Sequence, residues 1–308
     1  MYKIKGSKPT SNDSLEEIAD YIEVKAILAG NHTVSTKEII KEFLKSADEH
    51  ETNGVNDLED IINEKIEPIT DEINRRIVGT NNKYPFELLY NGTVIKFTGF
   101  NDSYSYLYSY LLYATRLNMR DNKVFQAIDG TQLFEYLSAL AAQTYFGDKS
   151  KNIVFGTSVA GGFEEKVNQL CQDIGEGGNF VNHHNDQVDE QDGKLDIVSW
   201  TDFSDKKTAK LLGFGQCKTG TSWETARFEL QPSTFCKKWF RIQPIHDPIR
   251  MYFISDIAPM AKWNIRAYDS GILFDRLRIM DCLPENIEAN LYNKIKLWTD
   301  SAIAFAKA

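Results

Sequence analysis

The sequence predicts an α/β protein in which a helix-rich N-terminal half precedes a mixed β-sheet flanked by helices. Apolar residues at helical spacing dominate the first half, whereas the second half contains three strand-like runs, "KLDIVSW", "KLLGFGQCK" and "IRMYFISDIA". A chain of 308 residues is long enough for one large domain or two of ordinary size. We predict a helix-rich recognition or regulatory domain over 1–150 and a second domain over 151–308.

The N-terminal half begins with two helix start signals and a hairpin signal. Ser14 with Glu17, and Ser35 with Glu38, form capping boxes ahead of amphipathic runs. Asn91-Gly92 separates two runs rich in aliphatic and aromatic residues, which predicts a β-hairpin. Helices followed by a hairpin are typical of a winged helix, but these helices are acidic and do not suit contact with phosphate.

Two apolar helices are predicted to close this half. The first is the tyrosine-rich segment "NDSYSYLYSYLLYATRLNM", where packing into a core is favoured over a platform for stacking bases. The second is "GTQLFEYLSALAAQTYFG", followed by the polar stretch 147–152, which we interpret as a linker.

Composition excludes several classes of protein. Hydrophobic residues make up 42% and charged residues 26%, as in ordinary globular proteins, and the longest apolar runs fall far short of the roughly 20 residues that a membrane span needs. The N-terminus lacks the apolar core of a signal peptide. The four cysteines are scattered, which favours neither a zinc site nor a disulfide framework. We therefore expect a cytoplasmic protein with no membrane partner.

The charge distribution leaves the nature of the partner open. A net charge of -9 argues against a nucleic-acid partner, because phosphate binding is driven by basic surface. Residues 201–250, however, contain nine Lys and Arg against five Asp and Glu. Such a stretch is weak evidence for an anionic partner, since a run of this kind is more often a solvated face.

The second half carries the candidate chemistry. "FEEKVNQL" predicts a helix on which Glu164 lies at the edge of the buried stripe. Asp196 lies within an apolar strand, where a carboxylate is costly to bury unless a cation or hydrogen bonds satisfy it. Alternation puts Gln216 and Lys218 on one face of the next strand. An antiparallel hairpin of these two strands would bring Asp196 to the face that carries Gln216 and Lys218.

These segments resemble a known family. A helix with "FEEKVNQL", then "DGKLDIV", then "GQCK" at the end of the next strand is similar to the PD-(D/E)xK nuclease superfamily, and most similar to its Mrr-type restriction endonuclease branch, in which glutamine often replaces the third acidic residue. The resemblance covers about residues 155–257 and implies a restriction-endonuclease-like mixed sheet flanked by helices. It also implies a metal-dependent endonuclease domain over 151–308.

The resemblance implies a role for each matching residue. Asp196 is the main ligand for Mg²⁺ or Mn²⁺, Glu164 reaches in from the helix to a metal-bound water or second ion, and the backbone carbonyl of Cys217 is a further ligand. Gln216 offers an amide oxygen in place of a carboxylate, which puts tight binding of a second metal in doubt. Lys218 orients the attacking water and stabilises developing charge.

The same resemblance implies a substrate and a biological setting. DNA is expected rather than RNA, in a bacterial restriction or phage-defence context, with an ATPase or helicase subunit as a possible protein partner. Lys237, Lys238 and Arg241, which are interleaved with aromatic residues, are candidates for contact with the nucleic-acid backbone. A helix that packs its aromatics inward and its lysines outward explains the same pattern.

Several alternatives stay open at this stage. Asp196 and Lys218 could form a structural ion pair, and Asp192 is a competing carboxylate in a turn-like segment. His183 and His184 are adjacent, so they would not easily bind one ion from a strand. The whole chain could also be a catalytically silent, nuclease-like interaction subunit that presents its tyrosine-rich helix to a partner, or a nuclease that acts on RNA.

Overall fold

The computed structural model of the protein describes residues 1–46, 55–156, 161–185, 187–188 and 193–308. Within these residues the chain forms helices in both halves: α1 Leu15–Leu28, α2 Thr36–Ser46, α3 Val55–Gly79, α4 Ser103–Arg116, α5 Gly130–Phe146, α6 Phe163–Ile174, α7 Trp223–Ala226, α8 Pro232–Trp239, α9 Trp263–Ser270, α10 Arg276–Cys282 and α11 Ala289–Lys307. The strands are β1 Thr33–Ser35, β2 Phe86–Leu89, β3 Val94–Phe97, β4 Val124–Phe125, β5 Ile128–Asp129, β6 Ser150–Val154, β7 Ile197–Thr201, β8 Leu211–Lys218, β9 Ile249–Ile254 and β10 Ile272–Phe274.

A five-stranded mixed sheet forms the centre of the C-terminal half. Its strand order is β10-β9-β8-β7-β6. Strand β7 pairs antiparallel with both β6 and β8, whereas β9 pairs parallel with both β8 and β10. Helices α6 and α8 supply apolar side chains to the cluster on one face, and α5 packs against β6, β7 and β8. This confirms the predicted α/β class with a mixed sheet; the restriction-endonuclease-like fold stays a prediction.

The N-terminal half contains the predicted caps and hairpin. Ser14 accepts a hydrogen bond from the Glu17 N–H at the start of α1. Asn91 and Gly92 lie in the turn between β2 and β3 and both have a positive φ, a conformation that glycine adopts without strain. Strand β1 adds to this hairpin and completes a three-stranded sheet in the order β1-β3-β2.

The tyrosine-rich helix α4 lies in the core. Tyr108, Tyr110 and Tyr113 have no exposed surface, and the Tyr110 hydroxyl donates to the Gly130 carbonyl oxygen at 2.6 Å. The expectation of core packing is therefore confirmed. A partner cannot dock on these buried side chains. The structure therefore does not support the alternative in which the tyrosine-rich helix forms the surface for a protein partner.

The apolar core crosses the predicted boundary at residue 150. One cluster contains Ile22 and Leu111 from the N-terminal half together with Ile197, Phe253 and Trp298 from the C-terminal half. The predicted linker 147–152 contains the start of β6. The division into two domains stays a prediction, but α5, which we assigned to the first domain, packs on the sheet of the second.

A buried ionic network joins the two halves. The Asp20 carboxylate of α1 accepts hydrogen bonds from Arg76 of α3 at 2.7 Å, Arg116 of α4 at 2.7 Å and Arg276 of α10 at 2.8 and 2.9 Å. Burial would raise the pKa of Asp20, but the three arginines outweigh burial and hold that pKa below its ordinary value. Glu23 adds a second carboxylate, which accepts from Arg76 at 2.6 Å.

No helix in the described part of the chain has the length and apolar character needed to cross a bilayer.

Replacement of Asp20 by asparagine should destabilise the fold strongly. The substitution leaves three buried guanidinium groups without their shared counter-charge, and breaking a buried ion pair in this way costs about 3–5 kcal/mol. Urea unfolding at pH 7 measures the difference. The control is Glu42→Gln, which removes an exposed ion pair with Lys8 and should cost no more than about 1 kcal/mol. Equal, small effects of both substitutions would contradict this account of the network.

Candidate functional site

The register of β7 and β8 brings Asp196 opposite Gln216. Ile197 pairs with Gly215, and the Asp196 N–H, one residue before β7, donates to the Gly215 carbonyl oxygen at 3.0 Å. A side chain at Gly215 would collide with Ile197, because its Cβ would lie 2.6 Å from Ile197 Cγ1. Residues opposite one another in a ladder point to the same face. The predicted hairpin and the predicted convergence of Asp196 with Gln216 are therefore confirmed.

These residues line a cavity of about 310 Å³ at the ends of β7 and β8. Its walls come from β8, from the segment before β7, from the end of β6 and from α6. The lining residues are Phe155, Gly156, Lys166, Lys194, Leu195, Asp196, Gln216, Cys217 and Lys218. Three lysines from three different parts of the chain thus surround one carboxylate, which makes the cavity suitable for an anionic group.

Asp196 lies in a low-dielectric setting with one fixed donor. Its Oδ2 accepts a hydrogen bond from the Cys217 N–H at 2.6 Å. Burial raises the pKa of Asp196 to about 6, although the Cys217 N–H and the charges of Lys218 and Lys194 act in the opposite direction. The carboxylate is therefore mainly ionised at neutral pH but costly to keep ionised without a cation.

Gln216 presents an unsatisfied oxygen. Its side chain is 2% exposed, and Nε2 donates to Glu229 Oε2 at 2.8 Å. Within the described part of the chain its Oε1 has no hydrogen-bond partner. A buried acceptor without a donor costs free energy, and such groups in native proteins call for a ligand, ion or water. This oxygen belongs to a residue that lines the same cavity as Asp196.

Lys218 forms an ion pair with Glu229 and not with Asp196. Its Nζ lies 3.4 Å from Glu229 Oε2, and its side chain is 35% exposed. Among the described residues, the ion pair that Lys218 makes within 4 Å is this one. A structural pair between Asp196 and Lys218, the alternative left open by the sequence, therefore does not describe the structure.

The structure does not bring Glu164 to this site. Glu164 is exposed in the first turn of α6 and does not line the cavity, because α6 reaches the cavity with Lys166, two residues later. Cys217 does line it, and its N–H holds Asp196. Asp192, the competing carboxylate, lies outside the described residues.

Two carboxylates near the site are not predicted from the sequence. Glu135 lies on α5, where burial and then the charge of Asp196 raise its pKa to about 8. Glu229 lies between α7 and α8 and contacts Gln216 and Lys218. Glu135 is a carboxylate on an otherwise apolar helix, which is a signal for a functional residue. The signal is hidden in the sequence because α5 falls in the predicted domain 1–150 and not in the domain that contains the sheet. Glu229 carries no local pattern at all.

The predicted nucleic-acid contacts lie elsewhere on the surface. Lys237, Lys238 and Arg241 are exposed, whereas their neighbours Trp239 and Phe240 pack into the core between α8 and the sheet. None of the three basic residues lines the cavity. The pattern of inward aromatics and outward lysines accounts for this segment. In the loop after α6, His183 Nε2 lies 3.2 Å from the Phe240 carbonyl oxygen.

The donor set suits a hard divalent cation with several bound waters. Across the described residues, no group of three or more His, Cys, Asp and Glu side chains is arranged to hold a metal ion. The unpartnered Oε1 of Gln216 is a donor of another kind, and it lies across the ladder from Asp196. Mg²⁺ needs only one or two protein carboxylates and keeps much of its water. Asp196 and the Gln216 amide oxygen fit that requirement.

No protein-family model, curated protein or solved structure matches this chain. The case for function therefore depends on the chemistry of the cavity.

Replacement of Glu135 by glutamine should stabilise the metal-free protein at alkaline pH. The pKa of Glu135 rises from 4.5 to about 8 on folding, so its contribution to stability is complete below pH 4.5 and is lost as the pH rises through 8. Glutamine stays neutral throughout. In EDTA, the variant should gain about 1–3 kcal/mol over the wild type at pH 9 and nothing at pH 4.5. Urea unfolding at both pH values measures this. A constant difference would contradict the burial of Glu135.

Proposed function

We propose that the protein is a metal-dependent nuclease that hydrolyses phosphodiester bonds of DNA at the cavity beside the start of β7 and the end of β8. The observation that carries the proposal is the placement of Asp196, the unpartnered oxygen of Gln216 and Lys218 around one cavity. Each taken alone has a structural explanation. Together they offer two oxygen donors and a cation, which is what hydrolysis of a phosphodiester requires of a protein.

The two oxygen donors would hold Mg²⁺ or Mn²⁺. The ion, when bound, supplies positive charge to the phosphate oxygens and a nucleophilic water at neutral pH. Asp196 would be its main ligand, with the Gln216 oxygen as the neutral second ligand. Glu135 does not line the cavity, so these two oxygens and bound waters would make up the shell of the ion.

The lysines would hold the substrate and stabilise its developing charge. Lys218 extends β8 at the rim of the cavity and is exposed enough to reach a phosphate. Lys166 and Lys194 contribute further positive charge from other elements. Three lysines at one place would let a chain with a net charge of -9 bind a polyanion there.

The choice of DNA, and of a restriction or phage-defence setting, rests on the resemblance of the sequence to Mrr-type endonucleases. The mixed five-stranded sheet with helices on its faces is compatible with that resemblance. An ATPase or helicase subunit remains a proposed partner. An RNA substrate would use the same cavity chemistry, so a substrate panel has to decide between them.

Cleavage of supercoiled plasmid should depend on the divalent cation and on residues of the cavity. We expect nicking with Mg²⁺ or Mn²⁺, none with EDTA, and a loss of at least about 100-fold in Asp196→Asn and Lys218→Ala, because the first removes the main ligand of the ion and the second removes a cation at the reacting phosphate. Glu164→Gln is the matched control and should retain activity, since Glu164 is exposed outside the cavity. Metal-dependent cleavage that survives Asp196→Asn would contradict the assignment of the site.

Binding of DNA should weaken when a cavity lysine is removed. Lys194→Ala should weaken binding of a short duplex in Ca²⁺ and reduce the slope of log affinity against log salt by about 1, as expected for one lost phosphate contact. Lys207→Ala is the control, because Lys207 is exposed at the opposite end of the β7–β8 hairpin. Fluorescence anisotropy at several salt concentrations measures both quantities. Equal slopes for the two variants would argue against phosphate contact by Lys194.

A further inference from the structure

The Glu229 carboxylate contacts two residues of the cavity without lining it. Its Oε2 accepts a hydrogen bond from Gln216 Nε2 at 2.8 Å and lies 3.4 Å from Lys218 Nζ. Glu229 belongs to the segment between α7 and α8, and its N–H is held by the Ala226 carbonyl oxygen at 3.0 Å. One oxygen atom from outside β8 therefore holds both functional side chains at the end of that strand.

The chemistry of a carboxylate determines which way the Gln216 amide faces. An ionised carboxylate only accepts hydrogen bonds, whereas a glutamine amide has a donating and an accepting side. Glu229 can therefore hold Gln216 in one orientation only, with its NH₂ toward Glu229 and Oε1 turned away. In the other orientation two oxygens would face each other. Oε1 therefore points away from Glu229, on a side where none of the described residues donates a hydrogen bond to it.

We propose that Glu229 is a positioning residue that fixes Gln216 as an oxygen donor to the bound cation and holds Lys218 beside it. The proposal rests on the proposed nuclease function and deepens it. Without Glu229 the Gln216 amide is free to rotate by half a turn and present NH₂, which repels a cation. The ion pair keeps Lys218 from sampling other rotamers; since Lys218 and Glu229 are both more than a third exposed, its effect is on position more than on stability.

Substitution Glu229→Gln tests the metal side of this proposal. Glutamine is nearly isosteric, but it can donate as well as accept, so both orientations of Gln216 become possible. Loss of an outer partner of a metal ligand typically weakens binding by about 10–100-fold. We expect that loss for Mn²⁺, measured by the electron paramagnetic resonance signal of the free ion. Glu224→Gln is the matched control, because Glu224 is similarly exposed and pairs with Arg266 instead. The affinity of this variant protein for Mn²⁺ should equal that of the wild type.

An exchange of the two side chains provides rescue. In Gln216→Glu with Glu229→Gln, the new glutamine donates to one oxygen of the new carboxylate, and the other oxygen faces the cavity whichever way the group turns. The double variant should recover at least wild-type affinity for Mn²⁺, whereas Gln216→Glu alone should not, because it opposes two carboxylates. A double variant as weak as Glu229→Gln would overturn the proposal.

A measurement that needs neither metal nor cleavage separates this proposal from the nuclease function. In protein labelled with ¹⁵N-glutamine, the Gln216 side-chain amide is identified by its loss in Gln216→Met. A proton donated to an ionised carboxylate should resonate downfield and exchange slowly in the wild type, and both properties should weaken in Glu229→Gln, where the partner is neutral and the Gln216 amide can turn. Unchanged Gln216 resonances in that variant would overturn the positioning role even if the protein cleaves DNA. If the downfield shift and the slow exchange weaken in that variant but the wild-type protein never cleaves DNA, the positioning role of Glu229 is supported and the proposed nuclease function is contradicted.

Discussion

The fold depends on one buried carboxylate shared by three arginines. Asp20 of α1 joins Arg76, Arg116 and Arg276, which belong to three other helices spread over 200 residues of sequence. Full burial makes each of these charges costly by itself, so a packing that left one of them unpaired would be strongly disfavoured. The network therefore favours the observed packing of the N-terminal helices against the C-terminal half over packings that separate these charges.

The same network extends to the end of the strand that carries the candidate site. Arg276 Nε donates to the Ser255 carbonyl oxygen at 3.0 Å, Thr115 Oγ1 donates to Ser255 Oγ at 3.0 Å, and the Ser255 N–H donates to the Lys218 carbonyl oxygen at 3.2 Å. The backbone at Lys218 is thus connected by hydrogen bonds to the buried ionic network. Such support would keep the candidate site in one geometry, as the proposed function requires.

The strand residues of the candidate site could be predicted from the sequence, whereas the helix residues near it could not. Asp196, Gln216 and Lys218 were predictable because a strand has a period of two and apolar neighbours leave one possible face. Glu135 was not, since "GTQLFEYLSALAAQTYFG" predicts a buried helix without indicating which sheet it packs on. Helical periodicity placed Glu164 at the edge of the α6 stripe, but the position of that edge relative to β7 depends on non-local packing. Glu229 could not be predicted either, because only its contacts with Gln216 and Lys218 in the folded chain connect it to the site.

The most direct test of the account is the position of a bound ion. Crystals of the full chain grown with Mn²⁺ would give an anomalous difference map in which the ion is identified without reference to activity. The account predicts a peak about 2.0–2.3 Å from an oxygen of Asp196 and from Oε1 of Gln216, with waters completing the shell. A map without a peak in this cavity, or a Gln216 amide that points its NH₂ into the cavity, would contradict the account.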